Sequence, residues 1–334
     1  MRNYKIEGYK SKLSIKETQR AIKVVKDGFQ TRFAKALNLD RVTAPLMVEH
    51  GSGINDDLNG VERKVEFSIK NANTMVEIVQ SLAKWKRMQL HRFEYERNTG
   101  IYTDMNAIRR DDDMDNTHSI FVDQWDWEMV IDREDRTIAY LQEVVRKIVK
   151  VISEVQSEVC EKYPQIKNKI REDVYFITTQ ELEDRYPGLS GEEREDAIVK
   201  EHGTVFLMQI GENLASGKPH DGRAPDYDDW KLNGDILIWN EVLNSALEVS
   251  SMGIRVDSES LKRQLAVKNA QDRMQYEYHK SIANDVYPLT IGGGIGQSRI
   301  CMLILQKAHI GEVHCSIWPA DMRESEAKKG IILL

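Results

Sequence analysis

The sequence predicts an α+β fold in which a mainly antiparallel sheet is flanked by helices. Predicted strands come in consecutive pairs instead of alternating strictly with helices, and this order favours an antiparallel sheet over a doubly wound parallel one. Long segments with apolar residues at helical spacing supply the flanking helices. The chain has 334 residues, of which 41% are hydrophobic, so it can bury a large core. Because the sequence shows no internal repeat and no interdomain linker, we expect a single domain over residues 1–334.

The first half is predicted to begin with a helix and to continue mainly as strands. Ser14 and Glu17 form a capping box before an apolar stripe that recurs at helical spacing through Leu37. The next apolar segment, Val42–His50, reads as a strand. It contains Pro45, which cannot donate to a ladder, so this strand is expected at an edge or an interface. The elements predicted next are a polar loop at 51–60, strands near 64–70 and 75–79, a helix or turn from 81, and a strand over 118–128.

A long amphipathic helix over Ile138–Val159 opens the second half, because its apolar residues line one face at helical spacing. The elements predicted after it are strands near 174–178 and 204–211 with a short capped helix between them, a polar loop at 221–231, strands at 235–240 and 247–256, helices at about 258–267, 272–283 and 296–307, and a short strand at 313–318.

Composition excludes several classes of protein. The formal net charge is −7, and no block of lysine and arginine is long enough to indicate a nucleic-acid footprint. No run approaches the roughly 18 apolar residues that a membrane span needs, and the first residues have no apolar signal-peptide region. The three cysteines form no CxxC pair. We therefore expect neither a disulfide framework nor a zinc site, and a reducing cytoplasm as the location.

The segment 100–128 carries the most chemical information. Two adjacent arginines, Arg109 and Arg110, are followed by an acidic run and then by a hydrophobic strand. Alternate side chains of a strand share one face; on one face of this strand lie Gln124, Asp126 and Glu128. A cationic turn beside a row of polar groups suits a small charged substrate that meets a phosphate.

A second arginine follows the glycine-rich segment GGGIGQSR, residues Gly292–Arg299. This segment is neither a P-loop, because no Gly-Lys-Ser/Thr follows, nor a dinucleotide fingerprint, because the third glycine is missing. Taken alone, it fits a plain strand-to-helix turn equally well. However, Arg299 falls in the first turn of an apolar helix, where the helix dipole disfavours a cation. We therefore expect Arg299 to face an anionic ligand. Arginines from two distant segments indicate a nucleotide site.

Two acids, Asp235 and Glu248, interrupt otherwise apolar strands. If those strands pair, the two carboxylates approach each other and offer the oxygen ligands that Mg²⁺ prefers. The alternative, which the pattern leaves open, is that either acid faces solvent on a half-exposed strand.

These segments together resemble the class II aminoacyl-tRNA synthetase core and, more closely, a stand-alone branch of it, the ammonia-dependent aspartate–ammonia ligases. The resemblance covers nearly the whole chain. The first helix with Pro45, Arg109 with its returning strand, and Gly292–Arg299 correspond to the three class II motifs. The segments that carry the resemblance are GSGINDDLNG, SLAKWKR, GIYTDMNAIR, FVDQWDWE, RAPDYDDW, LNGDILIWN, SSMGIRVD and GGGIGQSR.

The resemblance implies roles for individual residues. Arg109 would contact the α-phosphate of ATP and Arg299 its far end, while Asp235 and Glu248 would bind Mg²⁺ and phosphates. Lys86 would pair with the α-carboxylate of aspartate, Asp126 with its ammonium group, and Asp56 would handle incoming ammonia. The implied aspartate pocket comprises Asp56, Ser81, Lys86, Gln124 and Asp126, with Ser250, Ser251 and Arg255 nearby. The implied catalytic residues are Arg109, Arg299, Asp56 and Gln124.

The resemblance also implies an activity: ATP-dependent synthesis of L-asparagine from L-aspartate and free ammonia through a β-aspartyl-adenylate, with release of AMP and pyrophosphate. The first motif implies a homodimer. We expect no anticodon-binding domain, and the acidic composition argues against tRNA as a partner. Two alternatives remain at this point: adenylate chemistry with tRNA or a protein side chain as acceptor, and a non-catalytic regulatory subunit. The motif arginines favour an enzyme, because such subunits often lose them.

Overall fold

The computed structural model describes residue 4, residue 6, residues 8–56, residue 58 and residues 62–334. Strands and helices alternate irregularly along the described chain. The strands are β1 (Leu39–Arg41), β2 (Met47–Glu49), β3 (Glu66–Ile69), β4 (Thr74–Ile78), β5 (Gly100–Ile108), β6 (Phe121–Val130), β7 (Tyr175–Thr178), β8 (Thr204–Met208), β9 (Asp228–Asn240), β10 (Ser245–Arg255) and β11 (Thr290–Gly296). The helices are α1 (Ile15–Leu37), α2 (Ala83–Arg92), α3 (Ile138–Lys162), α4 (Thr179–Arg185), α5 (Gly191–His202), α6 (Ser258–Val267), α7 (Glu277–Ala283), α8 (Gln297–Ile304) and α9 (Ala320–Lys328).

The sheet is mixed, so the expectation of an antiparallel sheet is only partly right. In the described chain an eight-stranded sheet has the order β1-β5-β6-β11-β10-β9-β8-β7, and a three-stranded sheet has the order β2-β4-β3. Neighbours from β5 to β8 are antiparallel, whereas the outer pairs β1–β5 and β7–β8 are parallel. A parallel pair needs a crossover connection, and helices α4 and α5 supply one between β7 and β8. Helix α5 was predicted between these two strands, whereas α4 was not.

Helix α1 packs against one face of β6 and leaves the polar side chains of that strand on the other face. Phe29 of α1 stacks on Trp125 with ring centroids 4.3 Å apart, and Phe33 meets Trp127 edge-on at 5.9 Å. All four side chains are fully buried. Because side chains alternate along a strand, β6 turns its intervening polar residues towards the opposite face, as the sequence predicted. No helix in the described part of the chain is long and apolar enough to cross a membrane.

Several predicted elements were wrong in detail. The strand expected over 42–50 is only β2 (Met47–Glu49); Pro45 lies in the irregular segment between β1 and β2, which belong to different sheets. The loop expected to run to residue 231 ends earlier, because β9 begins at Asp228. The helix expected over 272–283 breaks at the extended residue Tyr276. Residues 313–318 form no strand; Val313 and Trp318 are buried in the core without sheet pairing, and α9 follows.

Candidate active site

A pocket of about 610 Å³ opens on the polar face of the central sheet. Its walls come from strands β6, β9, β10 and β11, from the start of α8, and from the turn after β5. Of the residues singled out from the sequence, those that line it are Arg109, Gln124, Asp235, Glu248, Ser250 and Arg299. The structure thus brings together the two arginines and the two carboxylates that the sequence placed far apart.

Glycines of β11 make room for the polar side chains of β6. Gly294 pairs with Asp126 and Gly292 pairs with Glu128 in the ladder. A Cβ added at Gly294 would overlap the Gln124 amide, and one at Gly292 would overlap the Glu128 carboxylate. The side chains of Gln124 and Glu128 therefore lie directly over the backbone of these glycines. Any larger residue would collide with them, so the glycines are needed for packing and not only for a turn.

Lys86 and Asp126 pair with each other in this structure, although they were predicted to bind separately the α-carboxylate and the ammonium group of aspartate. The Lys86 ammonium contacts Asp126 directly and also donates to the Gly293 carbonyl at 3.2 Å. Both side chains are buried. Burial lowers the pKa of Lys86 and raises the pKa of Asp126, and each opposes the shift of the other. Asp126 Oδ2 has no hydrogen-bond partner among the described residues.

A second buried ion pair supports the first. Arg255 donates from Nε and Nη2 to both oxygens of Glu128 at 2.7–3.0 Å, and its Nη1 bonds to Asp228. Thr290 donates to Glu128 at 2.7 Å, and Lys86 Nζ lies 3.8 Å from Glu128 Oε2. Burial raises the pKa of Glu128, but Arg255 and Lys86 outweigh burial and hold it below its usual range. Sequence reasoning missed Asp228 and assigned no role to Glu128, although both stand in the motifs quoted above.

Asn55 fixes the loop that carries Asp56. Its Oδ1 accepts from the backbone N–H groups of Asp56 at 3.0 Å and Gln80 at 2.8 Å. Its Nδ2 donates to Glu77 Oε2 and to the Ile78 carbonyl, both at 3.1 Å. All four hydrogen-bonding positions of this amide are satisfied, so the loop is tied to the end of β4. The sequence analysis overlooked Asn55, although it directly precedes Asp56.

Asp56 itself is buried beside a charged network. Burial raises its pKa; Lys84 opposes this shift and Asp226 adds to it. Lys84 Nζ lies 2.9 Å from Asp226 Oδ2 and donates to the carbonyls of Gly53 and Asn55. The remainder of the predicted loop at 57 and 59–61 lies outside the described residues. Asp56 does not line the pocket wall, but Arg109 is close enough to lower its pKa.

The two motif arginines hold their guanidinium groups differently. Among the described residues, Arg109 donates to the Gln80 carbonyl at 3.3–3.4 Å. Arg299 donates to the backbone carbonyl of Glu248 at 2.9 Å and lies 3.5 Å from the Glu248 carboxylate. Both are half-buried and face the pocket. Within the part of the chain that the structure describes, these long contacts to one carbonyl leave other guanidinium donors of Arg109 for a ligand.

The strands of Asp235 and Glu248 do pair, as the magnesium hypothesis required. Glu248 pairs with Leu237, while a β-bulge before Ser250 shifts the register, so that Asp235 pairs with Ser251. Leu237 and Asp235 share one face of β9, and Glu248 therefore lies on the same face. Burial, with a contribution from Glu248, raises the pKa of Asp235 to about 7 although Arg223 opposes it. The alternative was that either acid faces solvent: Asp235 is buried, which contradicts it, whereas the Glu248 side chain is 43% exposed, which agrees with it in part.

Arg223 was not foreseen. It contacts Asp235 directly through Nη2 and Asp221 Oδ2 at 2.8 Å through Nη1. Burial raises the pKa of Glu248, but Arg299 and Arg223 together outweigh burial and lower it. Asp235 Oδ1 is buried and has no hydrogen-bond partner among the described residues, and carboxylate oxygens are what Mg²⁺ prefers. The donor set thus fits a divalent ion, provided that the adjacent guanidinium gives way.

The three serines predicted for the aspartate pocket differ in their surroundings. Ser81 is half-buried, and its hydroxyl accepts from the Ala83 N–H at 3.2 Å at the start of α2. Ser250 is buried with no partner for its hydroxyl, whereas Ser251 is half-buried. The structure therefore leaves Ser250 as an unsatisfied polar group beside the pocket.

Known protein structures share this fold. The Entamoeba histolytica asparaginyl-tRNA synthetase in complex with asparaginyl-adenylate superposes with a TM-score of 0.62 at 11% identity, over 90% of this chain and 66% of that chain. The Pyrococcus horikoshii asparaginyl-tRNA synthetase gives 0.60 at 14% identity, over 91% and 70%. The chain thus spans about two thirds of these synthetases. At this identity the likeness concerns the fold alone, and it confirms the predicted class II core.

Sequence relatives are much closer. The family model described as aspartate-ammonia ligase matches residues 16–330. The aspartate–ammonia ligase of Clostridium tetani is 58% identical over 327 residues, which cover 98% of this chain and 96% of that protein. The one from Pediococcus pentosaceus is 57% identical over 315 residues, 94% of each chain. With a family match over nearly its whole length and relatives of matching length, the chain belongs to the aspartate–ammonia ligase family of enzymes.

Proposed function

We propose that this enzyme makes L-asparagine from L-aspartate and free ammonia, using ATP and passing through a β-aspartyl-adenylate. The proposal rests on two neighbouring groups of charged side chains. One pocket holds arginines and carboxylates suited to a nucleotide, and beside it lies a buried cluster of opposite charges suited to an amino-acid zwitterion. An enzyme that joins a carboxylate to ATP needs these two kinds of site to adjoin.

Adenylation answers a chemical difficulty. A carboxylate does not react with ammonia at neutral pH because its oxygen is a poor leaving group. In the proposed first step, a β-carboxylate oxygen of aspartate attacks the α-phosphorus of ATP, and the bond to the bridging oxygen of pyrophosphate breaks. In the second, ammonia attacks the β-carbonyl carbon, the carbon–oxygen bond to AMP breaks, and one proton leaves the nitrogen. The products are asparagine, AMP and pyrophosphate.

Arg109 and Arg299 would stabilise the charge of the phosphates in the first step. The loosely held guanidinium of Arg109 is proposed for the α-phosphate, and Arg299 for the far end of the nucleotide. Preorganised donors aimed at developing charge typically contribute about 2.7–4 kcal/mol each to lowering the barrier. Gln124, which lies across Gly294 between the pocket and the buried cluster, is proposed to orient the reacting carboxyl group.

Asp235 and Glu248 would hold Mg²⁺, since both carboxylates lie on the pocket face and Asp235 has a free oxygen. When bound there, the ion would neutralise phosphate charge and polarise phosphate oxygens. Removing either carboxylate should therefore weaken metal-dependent nucleotide binding.

The aspartate head group is proposed to bind at Lys86 and Asp126. Because these two side chains pair with each other, the α-carboxylate and α-ammonium of the substrate would insert as matching charges, one at each partner. The unsatisfied Asp126 Oδ2 offers an acceptor for the ammonium group. Arg255 holds the cluster through Glu128 and Asp228, and Ser81, Ser250 and Ser251 supply hydroxyl groups at its margin.

Asp56 is proposed to orient ammonium and to accept a proton in the second step. Burial raises its pKa, which makes it a stronger base than an ordinary carboxylate. Asp56→Asn should spare aspartate-dependent pyrophosphate exchange and abolish asparagine formation. Collapse of both activities would contradict this division of labour.

A homodimer is also proposed, with α1 and the segment around Pro45 at its interface. The neighbouring Leu46 is 48% exposed in the single chain, which suits burial by a partner. Sedimentation of the purified protein tests this assembly.

The activity is tested by incubating the protein with aspartate, Mg-ATP and either ammonium or glutamine, and by measuring asparagine and the nucleotide product. Asparagine and AMP formed with ammonium alone support the proposal. ADP as the product would leave a ligase but refute the adenylate. Aspartate-dependent pyrophosphate exchange without asparagine would indicate another acceptor, and the absence of both signals would favour a regulatory role.

A further inference from the structure

The guanidinium of Arg223 lies behind the pocket wall, against the lining residue Asp235, and has no part in the proposed chemistry. It contacts Asp235, the same side chain that is proposed to bind the metal ion. Its own side chain is only 13% exposed and that of Asp235 only 10%, so this is not a loose surface pair. The electrostatic influence of Arg223 reaches Glu248 as well.

The position of Arg223 conflicts with a metal ion on the same carboxylate. A divalent cation bound to Asp235 would lie next to a fixed positive charge, and like charges at such separation repel strongly where water is scarce. The two cations therefore compete for the single negative charge of Asp235. The free oxygen Asp235 Oδ1 shows that the guanidinium does not satisfy this carboxylate completely.

The geometry favours movement of the Arg223 side chain over movement of its backbone. The next two residues are anchored: the Ala224 carbonyl accepts from Trp230 Nε1 at 3.1 Å, and the Pro225 carbonyl accepts from Gln264 Nε2 at 3.0 Å. The guanidinium also donates to the Gly222 carbonyl at 3.0 Å and to Asp221, whose side chain is 64% exposed, so the contact with Asp221 is readily exchanged for water. A long arginine side chain can thus leave Asp235 without unfolding the segment.

We propose that Arg223 is the counter-ion of Asp235 and Glu248 in the nucleotide-free enzyme, that the metal ion of metal–ATP displaces it, and that its guanidinium then binds a phosphate oxygen. The inference depends on the proposed function, because it takes Asp235 and Glu248 as the metal ligands. Guanidinium groups bind phosphate and carboxylate with similar geometry, so the incoming nucleotide supplies the anion that Arg223 loses. As a consequence, the metal alone binds weakly, and metal and nucleotide enter together.

The test uses Mn²⁺ as a probe of the metal site, measured by electron paramagnetic resonance on the full-length enzyme without nucleotide. Arg223→Gln is expected to tighten Mn²⁺ binding at least about fivefold, the lower end of typical coupling between sites. Arg223→Lys, which keeps the charge, should bind Mn²⁺ as weakly as the wild type. Arg194→Gln is the matched control, because Arg194 forms a similarly buried pair with Glu183, with side chains 11% and 10% exposed.

A second measurement addresses the phosphate. Binding of α,β-methylene-ATP, which cannot undergo adenylation, is measured by calorimetry in the presence of Mg²⁺. Arg223→Gln is expected to weaken binding of this analogue about fivefold or more, while Arg194→Gln leaves it unchanged. If Arg223→Gln and the wild type bind the analogue with equal affinity, the proposal that Arg223 binds a phosphate oxygen is wrong.

The outcomes separate this inference from the metal assignment. If Arg223→Gln binds Mn²⁺ no better than the wild type, or if neither protein binds it, Arg223 does not compete with the metal. If Arg223→Gln binds Mn²⁺ tightly and adding Asp235→Asn has no effect, the ion lies elsewhere, and the assignment of Asp235 as a ligand fails together with the competition. Thermal unfolding confirms that each variant is folded; should glutamine at 223 prevent folding, Arg223→Met repeats the measurement with a side chain of similar length.

Discussion

Replacing Glu128 by glutamine should destabilise the enzyme much more than the same change at the surface. The Glu128 side chain is fully buried and accepts hydrogen bonds from Arg255 and Thr290. Glutamine preserves its size but removes the charge and points an amide N–H₂ group at cationic donors. Arg255 and Lys86 would then remain buried with less compensating negative charge.

The expected magnitude follows from this geometry. Removing one partner of a buried ion pair typically costs about 3–5 kcal/mol. Because Arg255 keeps its bond to Asp228, we expect the lower end, about 3 kcal/mol. An unfolding entropy of about 2.1 cal/mol/K per residue gives about 0.7 kcal/mol/K for 334 residues. The loss therefore corresponds to a fall in Tm of roughly 4 °C.

The assay is urea-induced unfolding followed by tryptophan fluorescence, together with thermal unfolding. The control is Glu201→Gln, because Glu201 pairs with Arg185 while its side chain is 48% exposed. Such exposed pairs contribute about 0–1 kcal/mol. If the free energy of unfolding falls no further in Glu128→Gln than in Glu201→Gln, the argument from buried charge is refuted.

Three further predictions concern the pocket and the core. Arg109→Ala should slow aspartate-dependent pyrophosphate exchange about 10²–10³-fold, whereas Ala at the exposed neighbour Arg110 should not; equal losses would contradict the proposed role of Arg109. Asn55→Ala should lower the free energy of unfolding by about 2 kcal/mol and reduce asparagine formation by displacing Asp56; unchanged asparagine formation would mean that Asn55 does not position it. Burial lowers the pKa of His309 to about 4, so its contribution to stability is complete above about pH 6.5 and is lost as pH falls towards 4. The wild type should therefore lose about 2 kcal/mol more than His309→Gln between pH 7.5 and pH 5 in urea titrations, and parallel profiles would show that this histidine is not responsible.

The polar face of β6 could be predicted because its cause is local. Alternation along one strand separates Trp125 and Trp127 from Gln124 and Glu128, and the sequence alone displays it. The same holds for the capping box of α1, which depends on Ser14 and its third neighbour. Such features need no knowledge of a distant partner.

Pairing between distant side chains was beyond prediction from the sequence. Arg255 and Glu128 are separated by 127 positions in the chain, and nothing in either segment shows that the other neutralises it. The same holds for Lys86 with Asp126, which were each assigned to the substrate. The contact of Arg223 with Asp235 likewise depends on how the segment before β9 folds back over the pocket. Charges were recognised, but the way they compensate one another required the structure.

The parallel strands at the two edges of the large sheet were not predicted, for a physical reason. Antiparallel neighbours β9 and β10 are joined by a short turn, whereas parallel partners β1 and β5 are brought together across a long stretch of chain. Pro45 was recognised as incompatible with a ladder, but its actual effect, which is to separate strands of two different sheets, depends on those long-range pairings.

The position of β11 between β6 and β10 has a consequence for biosynthesis. Both neighbours are made before β11: β6 ends 160 residues and β10 ends 35 residues ahead of it, so each first has an open row of backbone donors and acceptors. Unpaired edges of this kind invite pairing with other chains. Arg255 lies on β10 and Glu128 on β6, and β11 is the strand that joins β10 to β6. Until β11 inserts, these two side chains are therefore not held together by the sheet. The nascent protein is therefore expected to need protection from aggregation until this glycine-rich strand closes the sheet and completes the candidate pocket.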